Sequence, residues 1–430
     1  MSLINNQSLD AKHRRIQYVN IIVLLLILFM DGSGIQVINS LNPSIMEGLG
    51  IDKPTLANIT IVQLGSAFVF SLVASAVIGK LTAKWTLAIG MVGMVLLQGA
   101  WGLQLPYEAM LGFAIAGGLC LAWGSYSAVQ GIMASFFGGD ASKIYGLMAG
   151  CQQLFGALAT FVAGQMLLVM PYTNVLLVFS VTTLVVCILF IVFVPQPDEE
   201  FEAMRRAEEE KKLAAAKEKA AEQGLPGYTL KEMLKRPSLW LFAVAMFTGS
   251  IITSGMNSWS STLFTMFGMT KTDASTMTSL YLLFSAIHFM YYGFLQKKAG
   301  SRIFVTIMYC GVLCGMVLLA VWTLNASMIW LAAVSLFFVA FIKPVNSLPN
   351  LIVPGLAGPK DLAAIYMFLF GVYYAGSLFS NFSTSRILQF IGGTPAMIYL
   401  GAMAIVALVC LHLAIKVSPY AKLQKQECEK

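Results

Sequence analysis

Apolar residues come in long, nearly unbroken runs along this chain, without the alternation of half-buried strands or the narrow stripes of soluble amphipathic helices. A hydrocarbon core about 30 Å thick needs roughly 20 apolar residues per helix. Runs of that size predict twelve spans: 17–39, 55–79, 85–104, 107–136, 143–169, 172–195, 238–266, 273–296, 302–324, 327–353, 361–390 and 393–416. Turn and helix-stop residues separate them, among them Asn42-Pro43, Gly138-Gly139-Asp140, Met170-Pro171 and Gly392-Gly393. The first run is too long for the apolar segment of a signal peptide and has no small-residue cleavage site.

Composition agrees with the pattern. Hydrophobic residues make up 58% and charged residues 11% of the 430, against about 45–50% and about 25% in soluble domains. Intrinsic disorder, a disulfide-stapled secreted domain and an ordinary soluble enzyme are excluded. The expected class is an all-α integral membrane protein. The net charge of +7 therefore concerns the membrane and not nucleic acid. Lys12, Arg14, Arg15, Lys80, Lys84, Lys143, the 196–236 loop, Lys297, Lys298, Arg302, Lys360 and the C-terminus carry nearly all the bases on one side. Only Lys53 and Lys271 fall in loops on the other. The positive-inside rule then puts both termini in the cytoplasm, with the chain in the cell membrane.

The one long polar stretch lies between Pro195 and Arg236. Residues 198–223 are rich in Ala, Glu and Lys with acids preceding bases, which favours a solvated helix with i,i+4 pairs. The expected division is a first bundle over 1–195, a charged linker over 196–237 and a second bundle with tail over 238–430. The linker is a tether or, alternatively, a partner-binding site.

The two halves repeat at a constant offset. Asn39-Ser40 returns as Asn257-Ser258, Gly50 as Gly268, Lys53 as Lys271, Lys80 as Lys298, Lys84 as Arg302 and Gly93 as Gly311. Six spans per repeat imply parallel halves related by an axis along the membrane normal. Twelve spans, a long central loop and this repeat resemble the major facilitator superfamily over nearly the whole chain. That family's loop motif, Gly-x-x-x-Asp-Lys/Arg-x-Gly-Arg-Lys/Arg, is partly present as GFLQKKAGSR from Gly293 to Arg302, with Lys297 in place of the acid. In the first half GKLTAKW, from Gly79 to Trp85, also lacks it. Asn42-Pro43 followed by Gly48-Leu49-Gly50, and the stretch from Glu232 to Trp240 leading into span 7, are similar to the oxalate/formate antiporter and monocarboxylate porter branch.

Ionisable residues inside apolar runs are the sharpest chemical signal, since each costs about 2.5–3.5 kcal/mol or more at a helix centre. Asp31 lies near mid-depth of span 1, followed by Gly32-Ser33-Gly34. It can couple transport to protons, form an ion-pair gate or serve as a hydrogen-bonded structural group. Lys343 lies in span 10 directly before Pro344, with Pro349 and Pro354 beyond, so this helix is expected to kink. Its ammonium can take a substrate anion, pair with Asp31, or snorkel to the interface. His288 in span 8 is either satisfied by a neighbour or bonded to substrate or proton. Arg386, near the end of span 11, either snorkels or lines an anion-attracting vestibule. Tyr281 and Tyr292 of span 8, Tyr373 and Tyr374 of span 11, Trp259 of span 7 and Tyr126 of span 4 are candidate lining groups. Gln63, Gln152, Gln153 and Gln165 read first as interhelical hydrogen-bonding residues.

The resemblance also limits the substrate. Oxalate-exchanging members place an Arg in helix 8 and a Lys in helix 11 around a dicarboxylate; the corresponding positions here lie near His288–Phe289 and Val372–Tyr373, without either cation. One firm intramembrane cation with aromatic neighbours fits a monoanion with an apolar body. The expectation is a non-enzymatic, monomeric secondary transporter in the lipid bilayer, moving a small organic anion by proton symport with alternating access. Anion exchange is the nearer alternative, and a transport-inactive membrane sensor or scaffold the more distant one. No metal, nucleotide or other cofactor is expected, because no ligand spacing or phosphate loop is found.

Overall fold

The computed structural model of the chain describes residues 25–27, 29–30, 32–124, 141–194, 227–358 and 360–418, with only the backbone described at 72, 74–83, 141–149, 292–299, 301, 350 and 363. Every regular element among the described residues is helical. The 196–226 part of the expected linker lies outside them, as do Asp31 and Tyr126.

The helices follow the apolar runs closely. Span 5 is Ala141–Met166, span 6 Tyr172–Phe193, span 7 Pro237–Met266, span 11 Leu362–Phe390 and span 12 Gly393–Lys416. Spans 2 and 3 run on as Lys53–Gly102, and spans 8 and 9 as Lys271–Leu324. The second of these breaks at Gly300, with φ 77° and ψ 161°, a backbone region open essentially to glycine alone. Span 10 is not a uniform helix. Ile329–Val339 tightens into a 3-10 stretch over Ala340–Ser347 and resumes as Leu348–Ala357. Pro344 has no N–H to donate and its ring crowds the preceding turn, which accounts for the change of winding there.

The repeat is visible in the backbone. Gly50 and Gly268 both take positive φ, 63° and 88°. Two residues later their successors both cap a helix: Asp52 accepts from the Thr55 N–H at 2.9 Å, and Thr270 accepts from the Asp273 N–H at 3.1 Å. Equivalent turns therefore launch spans 2 and 8.

The outer surface is apolar where lipid would touch it. On span 6, Val178, Val181, Val185, Ile188 and Val192 recur at helical spacing and are all exposed. A soluble protein does not show such a stripe without a partner. Seven helical segments among the described residues are long and apolar enough to cross a membrane. Spans 5, 8 and 11 are not among them, and each of these carries polar residues that meet the opposite half of the chain or the buried site described next.

Candidate functional site

The site is built around the 3-10 stretch of span 10. Lys343 is only 4% exposed. Its Nζ donates to Asn257 Oδ1 of span 7 at 2.6 Å and to Gln153 Oε1 of span 5 at 3.2 Å. It also stands 5.0 Å from the centre of the Tyr281 ring of span 8, within cation–π range. Four spans, one from the first half and three from the second, thus converge on a single ammonium. An ammonium has three protons to donate, and two carboxamide oxygens and a ring face account for them. Its hydrogen bonds are satisfied, yet none of these partners carries a negative charge.

From this point a seam runs to the end of the molecule that carries Glu47, Lys53 and Lys271. On span 5 the residues facing span 8 follow Gln153 at helical spacing. The Ala157 carbonyl accepts from Ser279 at 2.7 Å, the Thr160 carbonyl from Ser275 at 2.8 Å, and the Gly164 carbonyl from Thr272 at 3.3 Å. The end of span 1 and the short helix Asn42–Leu49 after it join span 7 in the same manner: Ser261 donates to the Asn39 carbonyl at 2.8 Å, and Asn42 Nδ2 to the Ser258 carbonyl at 2.7 Å. At the rim Lys271 pairs with Glu47, and Lys53 donates to Gln389 at 3.2 Å. The Glu47 carboxyl is held below the usual carboxylate range by its hydrogen bond and charge contact with Lys271. Among the described residues these bonds between the halves lie at Lys343 or on this side of it, so the molecule is closed toward its Lys271 end.

The other sequence candidates fall in varied places. His288 Nε2 lies 3.0 Å from the Phe337 carbonyl, and its ring stacks on Phe341 at 4.0 Å between centroids. It belongs to an aromatic cluster with Phe284, Phe337 and Phe338. Tyr373 and Tyr374 are half-buried on span 11, edge to face at 6.1 Å, and Ser250 donates to the Tyr373 carbonyl at 2.5 Å. Trp259 is 2% exposed, and its indole nitrogen has no partner among the described residues. Arg386 lies over the Phe382 ring at 3.7 Å and donates to the Phe382 carbonyl at 3.0 Å. The side chain of Tyr292 lies outside the described residues.

Two members of the site are not singled out by their sequence. Gln153 reads as an interhelical bonding residue, and Asn257 stands out only as the repeat mate of Asn39. A neutral carboxamide in mid-span is the available signal, but it does not say which helix it will face.

Comparison with known proteins agrees with this architecture. No curated protein sequence matches the chain. Among solved structures, a mutant form of the nucleoside transporter NupG has a TM-score of 0.73 at 12% identity, covering 93% of this chain and 99% of its own. A D-xylose–proton symporter has a TM-score of 0.68 at 13% identity, covering 94% and 98%. A bacterial homologue of the human lysosomal transporter Spinster, inward-facing and occupied, has a TM-score of 0.65 at 13% identity, covering 97% and 98%. At these identities the likeness concerns the fold. The model of the Major Facilitator Superfamily matches residues 24–380, most of the chain, and with the repeated helical halves meeting at a buried polar site it places this protein in that superfamily of membrane transporters.

Proposed function

We propose that the chain moves a small organic anion, a monocarboxylate, by proton-coupled symport with alternating access, and that Lys343 receives the carboxylate. One observation carries this reading: the ammonium is buried at the meeting of the two halves, and its partners among the described residues are neutral. An unneutralised charge in a low-dielectric site favours a ligand of opposite sign more strongly than a surface charge would. Both carboxamides can release Lys343 and turn their N–H groups toward the second carboxylate oxygen. Tyr281, with Tyr373 and Tyr374, supplies aromatic surface for an apolar body.

Asp31 is the proposed proton carrier. Gly32, which follows Asp31 in the chain, packs against the backbone of Gln152, next to the Gln153 that accepts from Lys343, and this supports the reading. Movement of residues 1–195 against 238–430 would open and close the seam. The concentration of bases in alternate loops supports a plasma-membrane orientation with both termini inside. A monomer suffices for this mechanism, since the site lies within one chain. A D-xylose–proton symporter with this fold is in keeping with proton coupling, although the cargo differs.

The test is uptake of radiolabelled mono- and dicarboxylates into proteoliposomes, with and without an inward acid gradient. Monocarboxylate uptake driven by the gradient, and lost in Asp31→Asn and Lys343→Gln, is the expected result. Gradient-independent uptake that needs internal anion would replace symport by exchange, and no flux of any anion would sink the reading of Lys343.

A further inference from the structure

The chain enters span 7 through a tightly built turn. Thr229 and Glu232 close a reciprocal capping box at the start of the short helix Leu230–Met233, which fixes the backbone there. The Tyr228 N–H donates to the Ala357 carbonyl at 2.7 Å, and the Leu230 N–H to Asp361 Oδ2 at 2.9 Å. These bonds tie the segment to the end of span 10 and the start of span 11, at the opposite end of the molecule from Lys271. Beside it lies a pocket of about 300 Å³ lined by Tyr228, Glu232, Lys235 and Arg236.

The pocket is basic and borders the lipid-facing surface. The Arg236 guanidinium stands 5.5 Å from the centre of the Tyr228 ring, and Arg236 and Lys235 are both exposed. Among the described residues neither forms a salt bridge. Glu232, the acid of the lining, is engaged elsewhere: its Oε2 accepts from the Thr229 N–H at 2.7 Å and lies 3.8 Å from Lys360. Next to the basic pair Leu234, Trp240 and Val244 are exposed, and Trp240 and Val244 share one face of span 7. Trp240 donates to the Leu234 carbonyl at 2.8 Å and meets the Phe368 ring edge to face at 5.8 Å, the amphipathic placement of a tryptophan at a membrane surface.

We infer that this pocket holds the headgroup of an anionic phospholipid, with the phosphate on Lys235 and Arg236 and the acyl chains along Trp240 and Val244. A guanidinium meets phosphate oxygens in pairs through its planar fork, and the lysine adds a second positive charge. Glu232 does not oppose the anion strongly, because Lys360 and the Thr229 N–H already meet its charge. The apolar face that continues from the same point into the membrane selects a lipid over a soluble phosphate. Bound there, the lipid braces the segment that is bonded to span 10, the helix that carries Lys343. The site is separate from the cargo site, and the inference does not depend on what the chain transports.

The test offers the full chain in detergent phosphatidylglycerol, phosphatidylcholine and phosphatidylethanolamine with the same acyl chains, and counts bound lipid by native mass spectrometry. The wild type is expected to retain phosphatidylglycerol over both zwitterionic lipids. The double variant Lys235→Gln/Arg236→Gln should lose about tenfold or more of that preference, since each base near an anionic lipid surface is worth about fivefold. Each single variant should lose part of it, and Lys416→Gln, an exposed base outside the pocket, none. An unchanged melting temperature in phosphatidylcholine reports that the variants are folded. No preference in the wild type, an unaltered preference in the double variant, or the same loss in Lys416→Gln overturns the inference. Displacement of the lipid by inorganic phosphate, beyond that by chloride at equal ionic strength, overturns it in favour of a soluble anion. None of these outcomes bears on anion uptake through Lys343.

Discussion

Lys343 of span 10 donates to Asn257 of span 7 at 2.6 Å, and Asn257 is the repeat mate of Asn39 in span 1. The same stretch of span 7 therefore holds the buried cation and, through the carbonyl of Ser258 and the hydroxyl of Ser261, the seam to span 1. The proposed cargo site and the seal are built from adjacent residues of one helix. A ligand that draws Lys343 away from Asn257 acts directly on the element that closes the Lys271 end.

Changing the charge of that partner tests whether the cation is available. Asn257→Asp is nearly isosteric and gives Lys343 a carboxylate at hydrogen-bond distance. The pair then satisfies itself, and an incoming anion must compete with it. Uptake of the anion is expected to fall at least about tenfold, in line with the cost of separating a buried ion pair, while the melting temperature holds or rises. Lys343→Gln removes anion uptake by the opposite route. Unchanged uptake in Asn257→Asp would show that the anion binds elsewhere.

The Glu47–Lys271 pair at the rim has a defined pH dependence. Lys271 holds the Glu47 carboxyl below its usual range, so the pair is intact at neutral pH. Because the carboxyl's affinity for protons is lowered in the closed form, acid works against closure, and the contact is lost as the pH falls through that depressed value. The residues are exposed, and solvent screens the contact, so Glu47→Gln should leave thermal stability nearly unchanged. Its effect should appear in the distribution of conformations. Spin labels across the Lys271 end are expected to report a larger open fraction in Glu47→Gln at neutral pH, matched by the wild type only in acid and moderated by salt. Identical distance distributions for variant and wild type would remove the pair from the gate.

Much of this architecture is readable from the chain because each span must satisfy its own backbone in lipid. Run lengths place spans 5, 6, 7, 11 and 12 within a few residues, and Pro344 marks the local change in span 10. The cost of a charge in an apolar run picks out Lys343. Its partners escape the same reasoning, because Gln153 and Asn257 carry no charge and could face any neighbour. His288 illustrates the limit again: its contacts with Phe337 and Phe341 depend on how spans 8 and 10 rotate together, which single-helix periodicity does not fix. The Ser and Thr residues of the seam leave no pattern either, since a hydroxyl can bond any carbonyl nearby, including one in its own helix.

Close approach of spans 1 and 5 makes a steric test. A Cβ built on Gly32 would lie 2.5 Å from the Gln152 carbonyl oxygen, a backbone atom that cannot swing aside. Gly32→Val must push span 1 off span 5 beside the Gln153 that holds Lys343. Overpacking of this kind typically costs about 1–3 kcal/mol. The expected outcome is a lowered melting temperature together with weakened anion binding. Gly65→Ala, at a position where nothing among the described residues stands within 4 Å of the added carbon, serves as the silent control. Normal binding by Gly32→Val would mean that spans 1 and 5 part without disturbing the site.

Gly300 tests the hinge between spans 8 and 9. Its φ of 77° with ψ of 161° breaks an otherwise continuous helical stretch and sets the direction in which span 9 returns across the membrane. A side chain in this region clashes with its own backbone, at a cost of about 1–3 kcal/mol. Among the described residues no atom lies within 4 Å of a Cβ built there, so the penalty of Gly300→Ala is assigned to backbone conformation. The variant should melt at lower temperature, with the affinity for anion at temperatures below the transition unchanged. Gly300→Asn should be milder if the residue can relax into the neighbouring left-handed region, because Asn tolerates positive φ better than Ala does. Equal stability of all three proteins would mean that the turn relaxes freely, and that span 9 is held by its packing rather than by the geometry of the residue that launches it.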